Sequence, residues 1–138
     1  MIAGESGPDV AGGIVVYAGL GPRGNGEIAW QLGHAWDDVL AADRTRSGRT
    51  LAVLSSPARL DIVAELLGGP VSRQDLQDRL EQSTAGQLNH HLRELLSAGL
   101  VDQPRRGVYE VPPHRVIPIL TVLACANDLA VDSGEPER

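Results

Sequence analysis

Phenylalanine and lysine are missing from this chain, and cysteine and methionine occur once each. With aromatics at only 3%, any core has to be assembled from Leu, Val, Ile and Ala. The lone thiol, Cys125, excludes an internal disulfide framework and a multi-cysteine zinc site within one chain; its expected place is that of a small buried side chain. No uninterrupted apolar run approaches the ~20 residues of a membrane-spanning helix. The N-terminus lacks the charged-then-apolar layout of a secretory signal, so a cytoplasmic protein without membrane association is expected. All 12 basic residues are Arg, and they face 18 acids for a formal net charge of -6. That balance gives no whole-chain support to nucleic-acid binding. At 138 residues the chain is one ordinary domain, long enough to bury a core.

What is present centres on one stretch, Ser83 to Val101, whose two ends are both marked. Thr84 can cap a helix through its hydroxyl, and Gln87, three residues on, can reach back to complete a capping box. Gly99 supplies the left-handed residue that commonly ends a helix, and Leu100-Val101 leaves as a strand. Leu88, His91, Leu92 and Leu95 fall at helical spacing on one side. Gly86, Gln87, His90, Arg93, Glu94 and Ser97 occupy much of the other, and Asn89 lies at the margin. A short helix, Ser72 to Leu80, precedes this one. Two strands, Leu100 to Gln103 and Val108 to Val111, follow around a basic turn at Pro104-Arg105-Arg106-Gly107. Short helix, turn, two-faced helix and strand-turn-strand is the order of a winged helix-turn-helix.

Upstream, Ile14 to Ala18 is β-branched and aromatic, and Glu27 to Leu32 alternates polar and apolar. The turn-rich Gly21 to Gly26 lies between them, with Asn25-Gly26 favouring a tight turn, so a β-hairpin is expected. Gly19-Leu20-Gly21-Pro22-Arg23-Gly24 matches the letters of a dinucleotide fingerprint. That motif needs a helix to open at its third glycine, and an alternating run follows instead. Trp36 to Asp43 is expected as a short helix and Arg44 to Arg49 as a polar connection. Thr50 to Leu54 is again apolar, and Ser56-Pro57 opens a helix whose buried side is Leu60, Val63, Ala64, Leu66 and Leu67. His114 to Val131 is helical and apolar almost all round, which requires a cover, and a second subunit is the economical one. Pro118 either kinks this helix or marks its start.

For chemistry, the outer face of the two-faced helix offers Gln87 and Asn89 for adenine edges, Arg93 for guanine or phosphate, and Thr84 for phosphate. His90 faces out within reach of phosphate, and Arg73 and the wing-tip pair Arg105-Arg106 complete the candidate DNA contacts. The plain alternative is a solvated helix face and a charged hairpin tip. Against DNA, the span from Ser72 to Arg106 balances Arg73, Arg79, Arg93, Arg105 and Arg106 with Asp75, Asp78, Glu81, Glu94 and Asp102. His91 falls inward, as a hydrogen-bonded histidine at the core margin. Neighbouring His90 and His91 diverge by about 100° on a helix and make no metal pair. His114 and Asp128 lie about four turns apart, so one chain cannot join them on a metal there. No nucleophile-base pairing stands at informative spacing, so neither an enzyme nor a cofactor is expected.

Two segments carry a family resemblance: Leu54-Ser55-Ser56-Pro57-Ala58-Arg59-Leu60, and Asn89-His90-His91-Leu92-Arg93-Glu94-Leu95 with Ser97-Ala98-Gly99-Leu100-Val101. The first resembles the Pro-x-Arg helix opening of the ArsR-type winged-helix transcription regulators. The second resembles that family's recognition helix and exit, over a likeness spanning about residues 50 to 131. The resemblance implies a homodimer formed through terminal helices and repression relieved by an effector. The short helix has no Cys-x-Cys, and the last helix lacks the His and carboxylate set of zinc-type sensors, so the effector expected is not a metal.

The expected fold is therefore mainly α with small β (α+β). It comprises a flexible N-terminus (1–12), a hairpin and short helix (13–49), a winged helix-turn-helix with a C-terminal dimerisation helix (50–131), and a polar tail (132–138). Dimerisation is expected through Val116, Ile119, Leu120 and Leu123. Tyr17, Trp30 and Trp36 are candidates for an organic-ligand pocket, with core packing as the alternative use of those rings. The expected function is a homodimeric DNA-binding transcriptional regulator, a repressor on a palindromic double-stranded operator, with a small-molecule effector left open. The alternatives are a winged-helix module that holds a protein partner and, more remotely, a nucleotide-binding enzyme built on the glycine hairpin.

Overall fold

The computed structural model describes residues 12–81 and 83–131. All but the last residue of the segment expected as a flexible N-terminus (1–12), and all of the expected polar tail (132–138), lie outside the described residues. The chain opens on two long antiparallel strands, β1 (Ile14–Arg23) and β2 (Gly26–Ala35). Arg23 pairs with Gly26, so the loop is Gly24-Asn25, one residue ahead of the Asn-Gly step that the sequence favours. Gly24 alone in the loop has positive φ, +57°, the pattern of a turn with glycine at its first central position. Gly19 to Arg23 is thus strand, and a turn, not a helix, opens at the third glycine, Gly24. Gly19 lies so close to α6 (Pro113–Leu129) that an added Cβ would stand 2.6 Å from Ile117 Cγ2.

Three helices follow: α1 (Trp36–Ala41), α2 (Arg44–Leu54) and α3 (Pro57–Leu66). α2 corrects the expected polar connection. Asp43 accepts from the Thr45 backbone N–H and caps it, and the helix runs through the whole arginine-rich segment. A division between residues 49 and 50 consequently passes through the interior of a helix. Ser56 caps α3 by accepting from Arg59 N, with Pro57 in the first turn.

The winged part consists of β3 (Val71–Ser72), α4 (Arg73–Arg79), α5 (Ala85–Ser97), β4 (Asp102–Arg105) and β5 (Val108–Glu110), and it leads into α6. The strand β3 was not legible in the sequence; it pairs with β5 to make a small antiparallel sheet in the order β3-β5-β4. The core lies between α3, α4, α5 and the start of α6, and is wholly aliphatic: Ile62, Val63, Leu66, Leu76, Leu88, Leu95, Val101 and Val111 are the most deeply buried. No charged or polar side chain is buried among the described residues. The hairpin is fastened to this body at its tip. Gly24 N donates to Gly68 O (3.1 Å), and Arg23 donates to Leu67 O (2.9 Å) and to Glu110 Oε1 (2.9 Å).

Candidate nucleic-acid interface

The two-faced helix forms as its sequence dictates. Thr84 Oγ1 accepts from Gln87 N (3.1 Å) while Gln87 Oε1 accepts from Thr84 N (3.0 Å), a complete capping box. At the far end Gly99 adopts φ +74°. Leu100 N donates to Leu95 O and Gly99 N to Leu96 O, which satisfies the last carbonyls in a Schellman pattern. Leu88, Leu92 and Leu95 fix α5 to the core, each at most 2% exposed. The opposite face, with Gln87, Asn89, His90, Arg93, Glu94 and Ser97, is exposed.

α4 sits ahead of α5, capped by Ser72, which accepts from Asp75 N. The turn between the two helices is tied by the Gln77 side-chain amide donating to Ser83 O. Arg73, at the start of α4, crosses to α5. Its Nε donates to Asn89 Oδ1 (2.7 Å) and its Nη2 to Ala85 O (3.2 Å), while its backbone N–H donates to Gly107 O (2.9 Å). Arg105 and Arg106 stand exposed at the wing tip, where Gly107, with φ +75°, turns the strand. Of the residues proposed for DNA from sequence, Thr84, Gln87, Asn89, His90 and Arg93 are exposed on α5 or its cap, Arg73 is bonded to Asn89, and Arg105 and Arg106 precede Gly107, whose carbonyl accepts from Arg73.

Behind this surface lies a link the sequence reading missed. Arg59 of α3 donates from Nε to Val53 O (2.6 Å) and from Nη2 to Ala52 O (3.3 Å), and its Nη1 meets His91 Nδ1 at 3.3 Å. A guanidinium has only donors, so Nδ1 is the acceptor and the imidazole is neutral, protonated on Nε2. Burial, then the neighbouring positive charge of Arg59, then His90 hold the His91 pKa below its ordinary value, and Glu94 opposes them. The Pro-x-Arg segment was the available signal for Arg59. His91 also borders an open cleft of about 520 Å³ between α3, the end of α4 and α5, with Asp61, Arg79, Glu81 and Gln87 on its walls.

The remaining candidates are dispersed. Tyr17 and Trp30 face each other on the hairpin, with Trp30 Nε1 donating to Tyr17 OH (3.3 Å), and both pack against the core. Trp36 lies apart from them, 53% exposed over Gly13 at the base of the hairpin. On α6, Val116 and Ile119 are each only 3% exposed, buried in the chain's own core and unavailable to a second subunit. Leu120 is exposed and Leu123 is half-buried, while Val122 and Leu129 add apolar surface further along. Cys125 is exposed, a correction to its expected burial, because the last turns of α6 extend past the core. Pro118 lies inside α6, which starts at Pro113. No described helix is long and apolar enough to cross a membrane.

This arrangement is that of a winged helix-turn-helix. Residues 54–104 match the family model for a helix-turn-helix domain. One similar structure is the homodimeric winged helix-turn-helix DNA-binding domain of a possible ArsR-family transcriptional regulator from Mycobacterium bovis. It is 19% identical with a TM-score of 0.55, over 70% of this chain and 96% of that one. NolR from Sinorhizobium fredii is 24% identical with a TM-score of 0.52, over 62% of this chain and 88% of that one. Reduced HlyU from Vibrio cholerae is 25% identical with a TM-score of 0.52, over 64% of this chain and 96% of that one. No curated protein matches the chain significantly.

Proposed function

We propose that this chain is a sequence-specific transcriptional regulator that binds double-stranded DNA as a cytoplasmic homodimer and acts as a repressor, without enzymatic activity. The observation that carries the reading is the capped helix α5. Its apolar side is fixed to the core, and its polar side faces out between α4 and an arginine-tipped wing. An α-helix so presented fits a major groove, with Arg105 and Arg106 placed to follow the adjacent backbone. The likeness to a homodimeric winged helix-turn-helix DNA-binding domain supports it. Dimerisation falls to Leu120 and Leu123, with the exposed Val122 and Leu129 beside them. Two recognition helices then meet successive grooves about one helical turn apart, so the operator is an imperfect palindrome. A small-molecule effector acts by binding the DNA-competent and incompetent dimer geometries unequally. The hairpin and winged helix form one folding unit, given the bonds from Arg23 and Gly24 to the winged part.

A second reading, a protein-interaction module, is favoured by the equal number of arginines and acids between Ser72 and Arg106. Capture and sequencing of genomic fragments by the purified chain separates the two. Enriched fragments that share a palindromic motif support the regulator. Recovery with no common motif, across salt and candidate ligands, contradicts it.

A further inference from the structure

Both outward-facing amides of α5 have their oxygen already engaged. Arg73 Nε donates to Asn89 Oδ1 at 2.7 Å, and the Thr84 backbone N–H donates to Gln87 Oε1 at 3.0 Å. Each of these partners has only a proton to give. Turning either amide round would set donor against donor, so the oxygens are fixed inward and the –NH2 groups of Asn89 and Gln87 are the free ends. The clamp on Asn89 is itself anchored, since Arg73 also holds Ala85 O by Nη2 and Gly107 O by its backbone N–H. A further donor approaching Asn89 Oδ1 would meet the positive charge of the guanidinium. Arg93, exposed on the same face, adds another set of donors.

This matters for base readout. An amide recognises adenine with both its atoms, the oxygen accepting from N6–H and the nitrogen donating to N7. Asn89, its oxygen held by a guanidinium, retains only the donating half; Gln87 has its oxygen turned back to the helix start by the cap, with one of its two lone pairs taken. Guanine offers two acceptors in the major groove, N7 and O6, and no donor. We propose that the Arg73–Asn89 clamp and the Thr84–Gln87 capping box make α5 a donor surface that selects guanine edges and disfavours adenine. Arg73 then sets specificity through Asn89. The inference rests on the DNA-binding reading of this same face, and it replaces the adenine contacts expected from residue type alone.

Selection from a pool of random duplexes, with the full chain as wild type, Asn89→Ala and Arg73→Ala, tests it. The wild type is expected to select guanine at the base pair whose preference disappears in Asn89→Ala. Replacing that guanine by 7-deazaguanine keeps its pairing face and removes N7, and should weaken binding about tenfold. Arg73→Ala frees the Asn89 oxygen, so adenine becomes acceptable at the same pair. The 7-deazaguanine comparison is read on the wild type, needs only Asn89→Ala to locate the base pair, and decides the question even where Arg73→Ala melts early. Selection of adenine there by the wild type, with binding lost on 7-deazaadenine, overturns the inference and leaves a sequence-specific DNA reader standing. An unchanged base preference in folded Arg73→Ala overturns the role of Arg73. Absence of any enriched sequence removes both the inference and the reading beneath it.

Discussion

Arg23, at the tip of the hairpin, and Glu110, at the end of the wing strand, form an ion pair at 2.9 Å with side chains only 13% and 19% exposed. The contact spans most of the sequence and fastens the added hairpin to the winged helix, so the two parts should unfold together. Such a pair lies between the weak exposed and costly buried limits. Glu110→Ala should therefore cost about 1–3 kcal/mol, partly by leaving Arg23 without its carboxylate. Urea unfolding followed separately by tryptophan fluorescence and by helical circular dichroism should give coincident, lowered midpoints. Separate transitions in the wild type would show that the hairpin is an independent appendage.

Gly19 makes a second attachment by having no side chain. A Cβ there would stand 2.6 Å from Ile117 Cγ2 and 2.7 Å from its Cδ1, inside any tolerable contact. Gly19→Val should destabilise the chain by about 1–3 kcal/mol through overpacking. Ile117→Ala should cost about 2–5 kcal/mol alone by opening a cavity. The double mutant should be less damaged than the sum of the two, because each change relieves the other. Strict additivity in a denaturation cycle would show that the two sites do not meet.

The Arg59–His91 contact predicts a pH dependence of stability. The folded pKa of His91 is lowered by burial and by Arg59, so the folded state binds fewer protons than the unfolded state over the interval between the two pKa values. The stabilisation is full above the unfolded value of about 6.5 and is lost as pH falls through the lower folded value. Melting temperature should therefore drop as pH falls from about 6.5 towards the lower folded value, and His91→Gln should show a shallower drop than the wild type over that interval. Equal slopes for the two proteins would contradict it.

Thr84 caps the helix that carries the proposed reading face. Thr84→Ala removes the acceptor for Gln87 N and should cost about 1 kcal/mol, whereas Thr84→Ser should cost little. Thermal melts of the three proteins check this, and equal stability of Thr84→Ala and wild type would contradict it.

The helix α5 was legible because everything that defines it is local: a Thr/Gln pair three apart, leucines at helical spacing, and a glycine at the stop. Other features were set by contacts distant in sequence. In α2 only Leu54 is buried, so the run from Arg44 to Thr50 carries no apolar period and resembles a connection until Asp43 is seen to cap it. The glycines of β1 resemble a turn, yet Gly19 is accommodated by the approach of Ile117 from the other end of the chain. β3 is two residues long, too short for any periodicity. On α5, helical spacing put Gln87 on the outer face and Asn89 at its margin, and both are exposed. Which of their atoms remain free depends on Arg73 and on the capping geometry. The dimerisation residues divided likewise: an all-apolar helix does not tell which side its own core takes, and the core takes Val116 and Ile119.

DNA reading by the outer face of α5 and the wing is open to direct measurement. Its most direct measurement is fluorescence anisotropy of the purified chain on its own upstream DNA and on a scrambled duplex, each over a salt series, with Gln87→Ala and Arg106→Ala alongside. Tighter binding to the upstream DNA is expected, with an affinity that falls steeply with salt, a preference reduced in Gln87→Ala, and a shallower salt slope in Arg106→Ala. Equal, feeble binding to both duplexes, persisting across genomic fragments and candidate ligands, would contradict it and leave a winged helix that holds a protein partner.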